Sequence, residues 1–329
     1  MGRKNGPRHG SMQVWPRKRS YDFLPRVNWA PIVEISTKFS NSAQKTNILG
    51  FIGYKVGMAS AYLKDNTADS LMKNKRVIIP VTIVECPTIK IFSVRFYKNN
   101  KVATEVLNDN LPKELKKVVK ISAKKINVKE AIEKKKDDEF DDVRIIVYSE
   151  VKKVGLKKTP DLAELAISGT KQEKLEFVKA NLAKEFSITD AFQKGIVDIH
   201  GLTKGKGFQG PVKRFGIDLR SHKAEKGQRR PGSIGPWHPT GVPFTVARAG
   251  GLGGFKRITY NHPIISVKKF SEADSVVKRV FDNYGLVKTD YIILAGSIQG
   301  PQKRQMLLTA PLRPTKKQLK KQYELIELR

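Results

Sequence analysis

Glycines and lysines recur between Gly201 and Gly207, a spacing that invites comparison with a phosphate-binding loop. A nucleotide-binding loop of that kind has four residues between its first glycine and its Gly-Lys pair, and then a Ser or Thr that holds magnesium. Here three residues separate Gly201 from Gly205, and a glycine follows Lys206. The segment therefore does not predict an NTPase site. Its glycines instead allow the backbone to approach phosphates closely, with Lys204 and Lys206 as point charges.

The histidines and acidic residues are not spaced as a catalytic or metal site requires. No acidic residue lies within four positions of His238 or His262, and the acids Asp218 and Glu225 have no partner carboxylate nearby in sequence. Hydrolytic and metal chemistry needs such groups together. The five histidines are scattered along the chain, at His9, His200, His222, His238 and His262. The sequence therefore predicts no catalytic residues, no metal site, no cofactor and no enzymatic activity.

A tryptophan carries more information, because Trp237 lies among prolines and glycines in the segment Ser233–Gly241. One interpretation is an anchor in the protein's own core, since tryptophan is highly buried on average. The alternative is a stiff turn with an aromatic tip that stacks on nucleotides, which is worth about 1–3 kcal/mol per base. Arg229, Arg230 and Arg248 surround the segment and aliphatic residues are sparse, which favours the stacking tip.

Positive charge is concentrated in parts of the chain. The 329 residues include 63 Lys and Arg against 31 Asp and Glu, a formal charge of +32. Residues 1–26 carry a net +6, residues 201–257 a net +10, and residues 109–142 only +1. A basic protein with segregated charge favours a polyanionic partner, and nucleic acid is the commonest one.

The interior basic segment is also poor in apolar surface. Of the 57 residues from 201 to 257, 13 are Gly and 5 are Pro. Fixing the backbone costs on the order of 1–2 kcal/mol per residue, which so little apolar surface does not offset. We call residues 210–256 the finger, and we expect it to be mobile in the free protein and ordered against a partner.

The rest of the composition argues against a membrane or secreted protein. A hydrophobic fraction of 39% supports at least one core, and the most apolar run, 77–86, is too short and polar to span a membrane. Residues 2–19 lack the apolar stretch of a secretory signal, and Cys86 is the single cysteine, so we expect a reducing, cytoplasmic location.

β-branched and aromatic runs predict the strands that position these residues. They lie at 50–57, 77–85 and 89–97 before the basic segment, and at 257–267, 291–294 and 306–309 after it. Strands on both sides of a long insertion most simply close one barrel, which removes sheet edges.

Helical signals interrupt the strands between residues 105 and 195. Leu115, Val118 and Val119 give a helical stripe, and Thr159-Pro160 predicts a helix start. Thr170 with Glu173, and Ser187 with Asp190, match capping boxes, and Leu175, Val178 and Leu182 follow at helical spacing. A single strand, 143–148, lies between them. We therefore expect a nearly neutral α/β insertion.

Four ordered motifs resemble the universal large-subunit ribosomal protein three family, in its archaeal form. They are Lys204–Gly210, Pro231–Pro239, Ala247–Gly250 and Asn261–Ile264. The likeness covers nearly the whole chain. It implies a mainly β fold with an α/β insertion: a six-stranded translation-factor-like β-barrel with long RNA-penetrating extensions.

The resemblance implies six segments. They are a basic RNA-binding arm (1–45), the first part of the barrel (46–104), the insertion (105–195), a barrel strand and loop (196–209), the finger with its tryptophan tip (210–256), and the rest of the barrel with a basic tail (257–329). The residues expected to contact RNA are Arg3, Lys4, Arg8, Arg17, Lys18, Arg19, Lys204, Lys206, Lys213, Arg214, Arg220, His222, Lys223, Arg229, Arg230, Trp237, His238, Arg248, Lys256 and Arg257.

By the same resemblance, the function is that of a structural constituent of the large ribosomal subunit. Family members bind near the 3′ end of large-subunit ribosomal RNA, nucleate assembly, and extend the long loop toward the peptidyl transferase centre. The expected partners are that RNA and the neighbouring L-fourteen and L-twenty-four-e proteins, with no membrane and no homo-oligomer. The alternatives are an off-ribosome RNA chaperone or translation factor, and a nucleic-acid-processing enzyme, for which the clustered carboxylates are missing.

Overall fold

The computed structural model describes residues 11–39, 47–121, 127–133, 139–238, 240–273 and 275–329. These residues fall into two units. The smaller unit combines residues 1–23 with 202–257, and the larger unit combines 24–201 with 258–329.

Strands dominate the described residues. In chain order they are β1 (Gly50–Asp65), β2 (Arg76–Glu85), β3 (Ile89–Lys98), β4 (Lys101–Leu107), β5 (Asp142–Ser149), β6 (Leu162–Ala166), β7 (Ile196–Leu202), β8 (Phe208–Gln209), β9 (Gly250–Gly251), β10 (Lys256–Lys268), β11 (Tyr291–Ala295), β12 (Gln305–Thr309) and β13 (Tyr323–Leu328). The helices are α1 (Ala30–Phe39), α2 (Val128–Glu133), α3 (Val151–Val154), α4 (Lys171–Asn181), α5 (Ile188–Ala191), α6 (Pro211–Phe215) and α7 (Lys316–Leu319). Short 3-10 helices lie at Met12–Val14, Lys113–Lys117 and Phe270–Glu272. The fold is mainly β, as the sequence predicts.

Seven strands form the larger sheet, in the order β12-β7-β10-β11-β2-β1-β13. β12 pairs with β1 as well as with β7, so six of the strands form a ring of hydrogen-bonded neighbours. The strands predicted around 50–57, 77–85, 257–267, 291–294 and 306–309 are confirmed as β1, β2, β10, β11 and β12. All of them are members of this sheet.

Glycines in β1 allow close packing at the centre of this sheet. A Cβ atom on Gly53 would stand 2.5 Å from Val84 Cγ1, and one on Gly50 would stand 2.7 Å from Trp29 Cη2. Trp29 precedes α1 and is only 1% exposed. No sequence motif indicated α1 or the burial of Trp29 in the core.

A second, four-stranded sheet has the order β4-β3-β5-β6. The predicted strand at 143–148 is confirmed as β5. The strand predicted at 89–97 forms as β3, within the range 46–104 expected to be the first part of the barrel. It pairs instead with β4 on one side and with β5 on the other, in this second sheet. Apolar side chains of β3, β5 and β6 share one core with α4.

Two of the helix starts predicted in the insertion are confirmed. Thr170 and Glu173 form a capping box at α4, and Ser187 and Asp190 form one at α5. The helix predicted from Thr159-Pro160 is wrong, because the chain enters β6 at Leu162. The pairing of β6 with β5 overrides the local cap signal. The stripe around Leu115 forms a 3-10 helix instead of an α-helix.

Polar contacts fix the strands that lead into and out of the smaller unit. Asp198 in β7 accepts hydrogen bonds from the backbone N–H of Asn261 in β10, at 2.6 Å, and from that of Leu312, at 2.8 Å. Two residues on, the buried His200 contacts Thr309 Oγ1 through its Nε2 at 3.2 Å. Burial lowers the pKa of His200 to about 4, so its ring is neutral at physiological pH.

Candidate nucleic-acid interface

The smaller unit brings the N-terminal segment and the two limbs of the glycine-rich segment together. The backbone N–H of Ser20 donates to Gly254 O at 2.8 Å, and that of Thr203 donates to Phe255 O at 3.0 Å. Lys206 N donates to Leu252 O at 2.8 Å, beside the short pairing of β8 with β9. Two of the sequence motifs, 204–210 and 247–250, therefore face each other as one hairpin-like base for the finger.

Gly253 shows why this base requires glycine. Its φ is +87°, in the left-handed region, and a Cβ atom there would stand 2.0 Å from Lys204 O. Any side chain would both strain the backbone and collide with the opposite limb. Exposed lysines Lys204 and Lys206 are thereby presented on a tightly paired backbone.

The short helix α6 positions the arginine that joins the limbs. Its first residue is Pro211, and the helix is capped after Phe215 by Gly216, whose φ is +71°. From α6, Arg214 donates hydrogen bonds to the backbone carbonyls of Arg17 at 2.9 Å, Arg248 at 3.0 Å and Gly251 at 3.0 Å. Arg17 in turn donates through Nη1 to Arg214 O. A basic residue expected to contact RNA thus also holds three chain segments together.

An aromatic ring fills the space beside this arginine pair. Phe215 is buried, and its ring centroid lies 4.8 Å from that of Trp15. The guanidinium carbons of Arg17 and Arg214 lie 4.6 and 4.9 Å from the same ring. Such contacts stabilise a cation over an aromatic face by about 0.5–1 kcal/mol at exposed sites.

Mutual repulsion among the cations is visible in Arg17. Its pKa is lowered, first by burial and then by the charges of Arg214 and Arg257. A nearby carboxylate would raise the pKa instead. Lys256 pairs with Asp22 at 3.7 Å. The arrangement favours an anion supplied from outside the protein.

Most of the residues predicted to bind RNA are exposed. The exposed residues are Lys18, Arg19, Lys204, Lys206, Lys213, His222, Lys223, Arg229, Arg230, Trp237, His238, Arg248 and Lys256, and the half-buried ones are Arg17, Arg214, Arg220 and Arg257. Arg3, Lys4 and Arg8 lie outside the described residues. Every described member of the set belongs to the smaller unit.

The exposure of Trp237 excludes one of its two interpretations. The side chain is 83% exposed, so it is not an anchor of the protein's own core. Charge alone did not point to two further exposed aromatics of the glycine-rich segment, Phe208 at 78% and Phe244 at 71%. Their position within Gly- and Pro-rich basic segments is the signal that finds them.

The described residues offer neither a metal cluster nor a membrane-spanning helix. They contain no group of three or more His, Cys, Asp or Glu side chains placed to hold a metal ion. No helix among them has the length and apolar character needed to cross a membrane.

Comparison with known proteins identifies the family. The family model described as Ribosomal protein L3 matches residues 1–329. The chain belongs to the ribosomal protein L3 family. It is similar to the large ribosomal subunit protein uL3 of the archaeon Methanobrevibacter smithii, with 38% identity over 96% of this chain and 95% of the relative. It is also similar to the uL3 protein of Methanocaldococcus jannaschii, with 37% identity over 94% of this chain and 92% of the relative. The uL3 protein of Archaeoglobus fulgidus is 34% identical over 94% of this chain and 93% of the relative. The archaeal resemblance of the motifs is confirmed.

Proposed function

We propose that this protein is a structural, non-enzymatic constituent of the large ribosomal subunit in the cytoplasm, and that its smaller unit is the principal surface for large-subunit ribosomal RNA. The observation that carries the RNA assignment is the imbalance of charge between the units. The smaller unit has 18 Lys and Arg against 3 acidic residues in 79 positions, whereas the larger unit has 45 against 28 in 250 positions.

Ion pairing separates the two units in the same way. In the larger unit, Arg144 pairs with Asp142 at 3.0 Å and with Glu164 at 3.2 Å, and Lys90 pairs with Glu150 and Glu185 at 2.8 Å each. Cations that are already paired have less to gain from phosphate. The exposed cations of the smaller unit release counterions from RNA, which gives affinity and a steep dependence on salt.

Membership in the family supports the finer proposal. The protein binds near the 3′ end of the large-subunit RNA and nucleates assembly, and the finger extends toward the peptidyl transferase centre with Trp237 at its tip. The ring of six strands supports a translation-factor-like barrel as the platform for these extensions. Neighbours of the L-fourteen and L-twenty-four-e families complete its surroundings, and the protein acts as a single copy.

Matched charge removal tests the RNA surface. One variant replaces Lys204, Lys206, Arg229 and Arg230 by Gln, and the control replaces four exposed insertion lysines, Lys116, Lys117, Lys120 and Lys129. Substitution is preferred to deletion of the insertion, because β5, β6 and α4 share a core with β3. Affinity for the large-subunit RNA is measured across a range of salt concentrations.

The two variants remove the same charge, so a general electrostatic effect would change both equally. We expect the salt slope of the smaller-unit variant to fall by about 3, at about 0.7–0.9 per phosphate contact, and that of the control to stay near wild type. Equal slopes for the two variants would contradict the assignment of the RNA surface.

A further inference from the structure

A pocket lies within the smaller unit, where the N-terminal segment meets the start of β10. It has a volume of about 450 Å³ and is lined by residues 13–16, 18–21 and 255–257. We call it the aromatic pocket. The hydrogen bond from Ser20 N to Gly254 O and the ion pair of Lys256 with Asp22 hold its two walls together. Its volume falls in the range of about 300–1,000 Å³ that is typical of sites for small organic groups.

Three aromatic rings line this pocket: Trp15, Tyr21 and Phe255. The Trp15 ring packs on Phe215, with the centroids 4.8 Å apart, so its orientation is set before any ligand enters. Tyr21 is 97% exposed, an unusual position for a large ring unless something outside the chain covers it. Flat rings of this kind are the surfaces on which unstacked bases lie.

The charge of the lining selects an anionic ligand. The eleven lining residues, all within the described chain, include four cations, Lys18, Arg19, Lys256 and Arg257, and no acidic residue. Within the described residues, Lys18 and Arg19 have no acidic partner. The side-chain amide of Gln13 adds both a donor and an acceptor at the same pocket.

We propose that the aromatic pocket holds one unpaired nucleotide of the large-subunit RNA, with its base against the aromatic rings and its phosphate on the basic rim. Aromatic rings, cations and one amide together match the parts of a nucleotide: a π face, a phosphate and a polar base edge. A peptide segment would pack on the aromatic rings, but only an acidic peptide would match the cationic rim. The inference rests on the proposed function, since it names one ligand within the RNA.

Tyr21 provides the test, because its exposure makes a folding defect on truncation negligible. Three variants of the full chain are compared with wild type: Tyr21→Ala, Tyr21→Phe and Phe208→Ala. Phe208 is a matched control, as an exposed aromatic of the same unit that does not line the pocket. Each complex with the large-subunit RNA is probed for base reactivity with dimethyl sulfate and a carbodiimide, and affinity is measured across a range of salt concentrations.

We expect wild type to protect one unpaired base that becomes reactive with Tyr21→Ala and is protected again with Tyr21→Phe. Tyr21→Ala should bind about tenfold more weakly, with an unchanged salt slope because no charge is lost. Phe208→Ala should leave that base protected.

Three outcomes would overturn the inference while the proposed function stands. They are a Tyr21→Ala footprint identical to wild type, a loss of protection spread over the whole footprint, and a crosslink from Tyr21 to another protein in native subunits. If wild type fails to bind the RNA at all, the proposed function fails and the inference fails with it.

Discussion

Replacing Arg214 by Ala should release the N-terminal segment from the base of the finger. The side chain donates three hydrogen bonds to backbone carbonyls, of Arg17, Arg248 and Gly251, at 2.9–3.0 Å. Each contributes about 0.5–1 kcal/mol at a partly exposed position, and the contact with Phe215 adds about 0.5–1 kcal/mol. The loss is therefore about 2–4 kcal/mol, which corresponds to roughly a 30- to 900-fold change in a local opening equilibrium.

Hydrogen exchange of the RNA-free protein measures this opening directly. The reporter is the Ser20 amide, which is bonded to Gly254 O in the closed arrangement. Lys213→Ala is the matched control, since it removes the same charge one residue earlier from an exposed side chain. Arg214→Lys should behave almost like Arg214→Ala, because an ammonium does not reproduce the planar fork that reaches three carbonyls.

The same experiment tests the expected mobility of the free finger. Its base has the backbone pairs and arginine contacts described above, whereas the described residues of the distal part, 217–238 and 240–243, contain no strand, only short turns and irregular backbone. We expect fast exchange in the distal part and slower exchange at the base. Equal exchange of the Ser20 amide in wild type and Arg214→Ala, or an equal effect of Lys213→Ala, would refute the role given to Arg214.

Two further predictions concern the finger tip and the strands that support it. Trp237→Ala should give subunits of normal yield, because one exposed ring contributes little affinity. The puromycin reaction rate of these subunits should change, because positioning errors of about 1 Å are costly in a reaction centre. A mutant that never enters subunits, or one with unchanged yield and rate, would contradict the stacking tip. The folded pKa of His200, about 4, lies below its ordinary value of 6.5, so the unfolded chain binds the extra proton and stability falls as the pH drops from about 6.5 to about 4. At pH 4.5 this loss of stability amounts to about 2–3 kcal/mol. Urea unfolding measures the free energy of unfolding at pH 7 and pH 4.5, and the difference between the two should be smaller by that amount in His200→Gln than in wild type. The same difference in both proteins would contradict the low pKa of His200.

Local sequence patterns correctly predicted those features that depend on residues close to each other along the chain. Capping boxes at Thr170 and Ser187 gave the correct helix starts, since their hydrogen bonds join residues only three positions apart. β-branched runs located strands, because strand propensity is likewise a property of residues that are adjacent along the chain. The pairing of β3 with β5 could not be predicted, because periodicity shows which face of a strand is buried but not which strand lies beside it.

The candidate site likewise has one part that the local sequence predicts and another that it does not. Charge and glycine content indicated the basic residues and the exposed Trp237, because both are properties of composition. The contacts of Arg214 with Arg17 and of Phe215 with Trp15 join residues about 200 positions apart, and no local signal marks such pairs. The role of Arg214 as a connector and the aromatic pocket both depend on those long-range contacts.

Sedimentation of a native lysate tests the central claim most directly. The lysate is fractionated on sucrose gradients, with and without a high-salt wash of the ribosomes, and this protein is followed across the fractions. A structural constituent held by many phosphate contacts and by inserted aromatic rings should remain with the large subunit after the wash. Recovery of the protein mainly at the top of the gradient, away from subunits even at low salt, would contradict the account and favour an RNA chaperone or translation factor that acts off the ribosome.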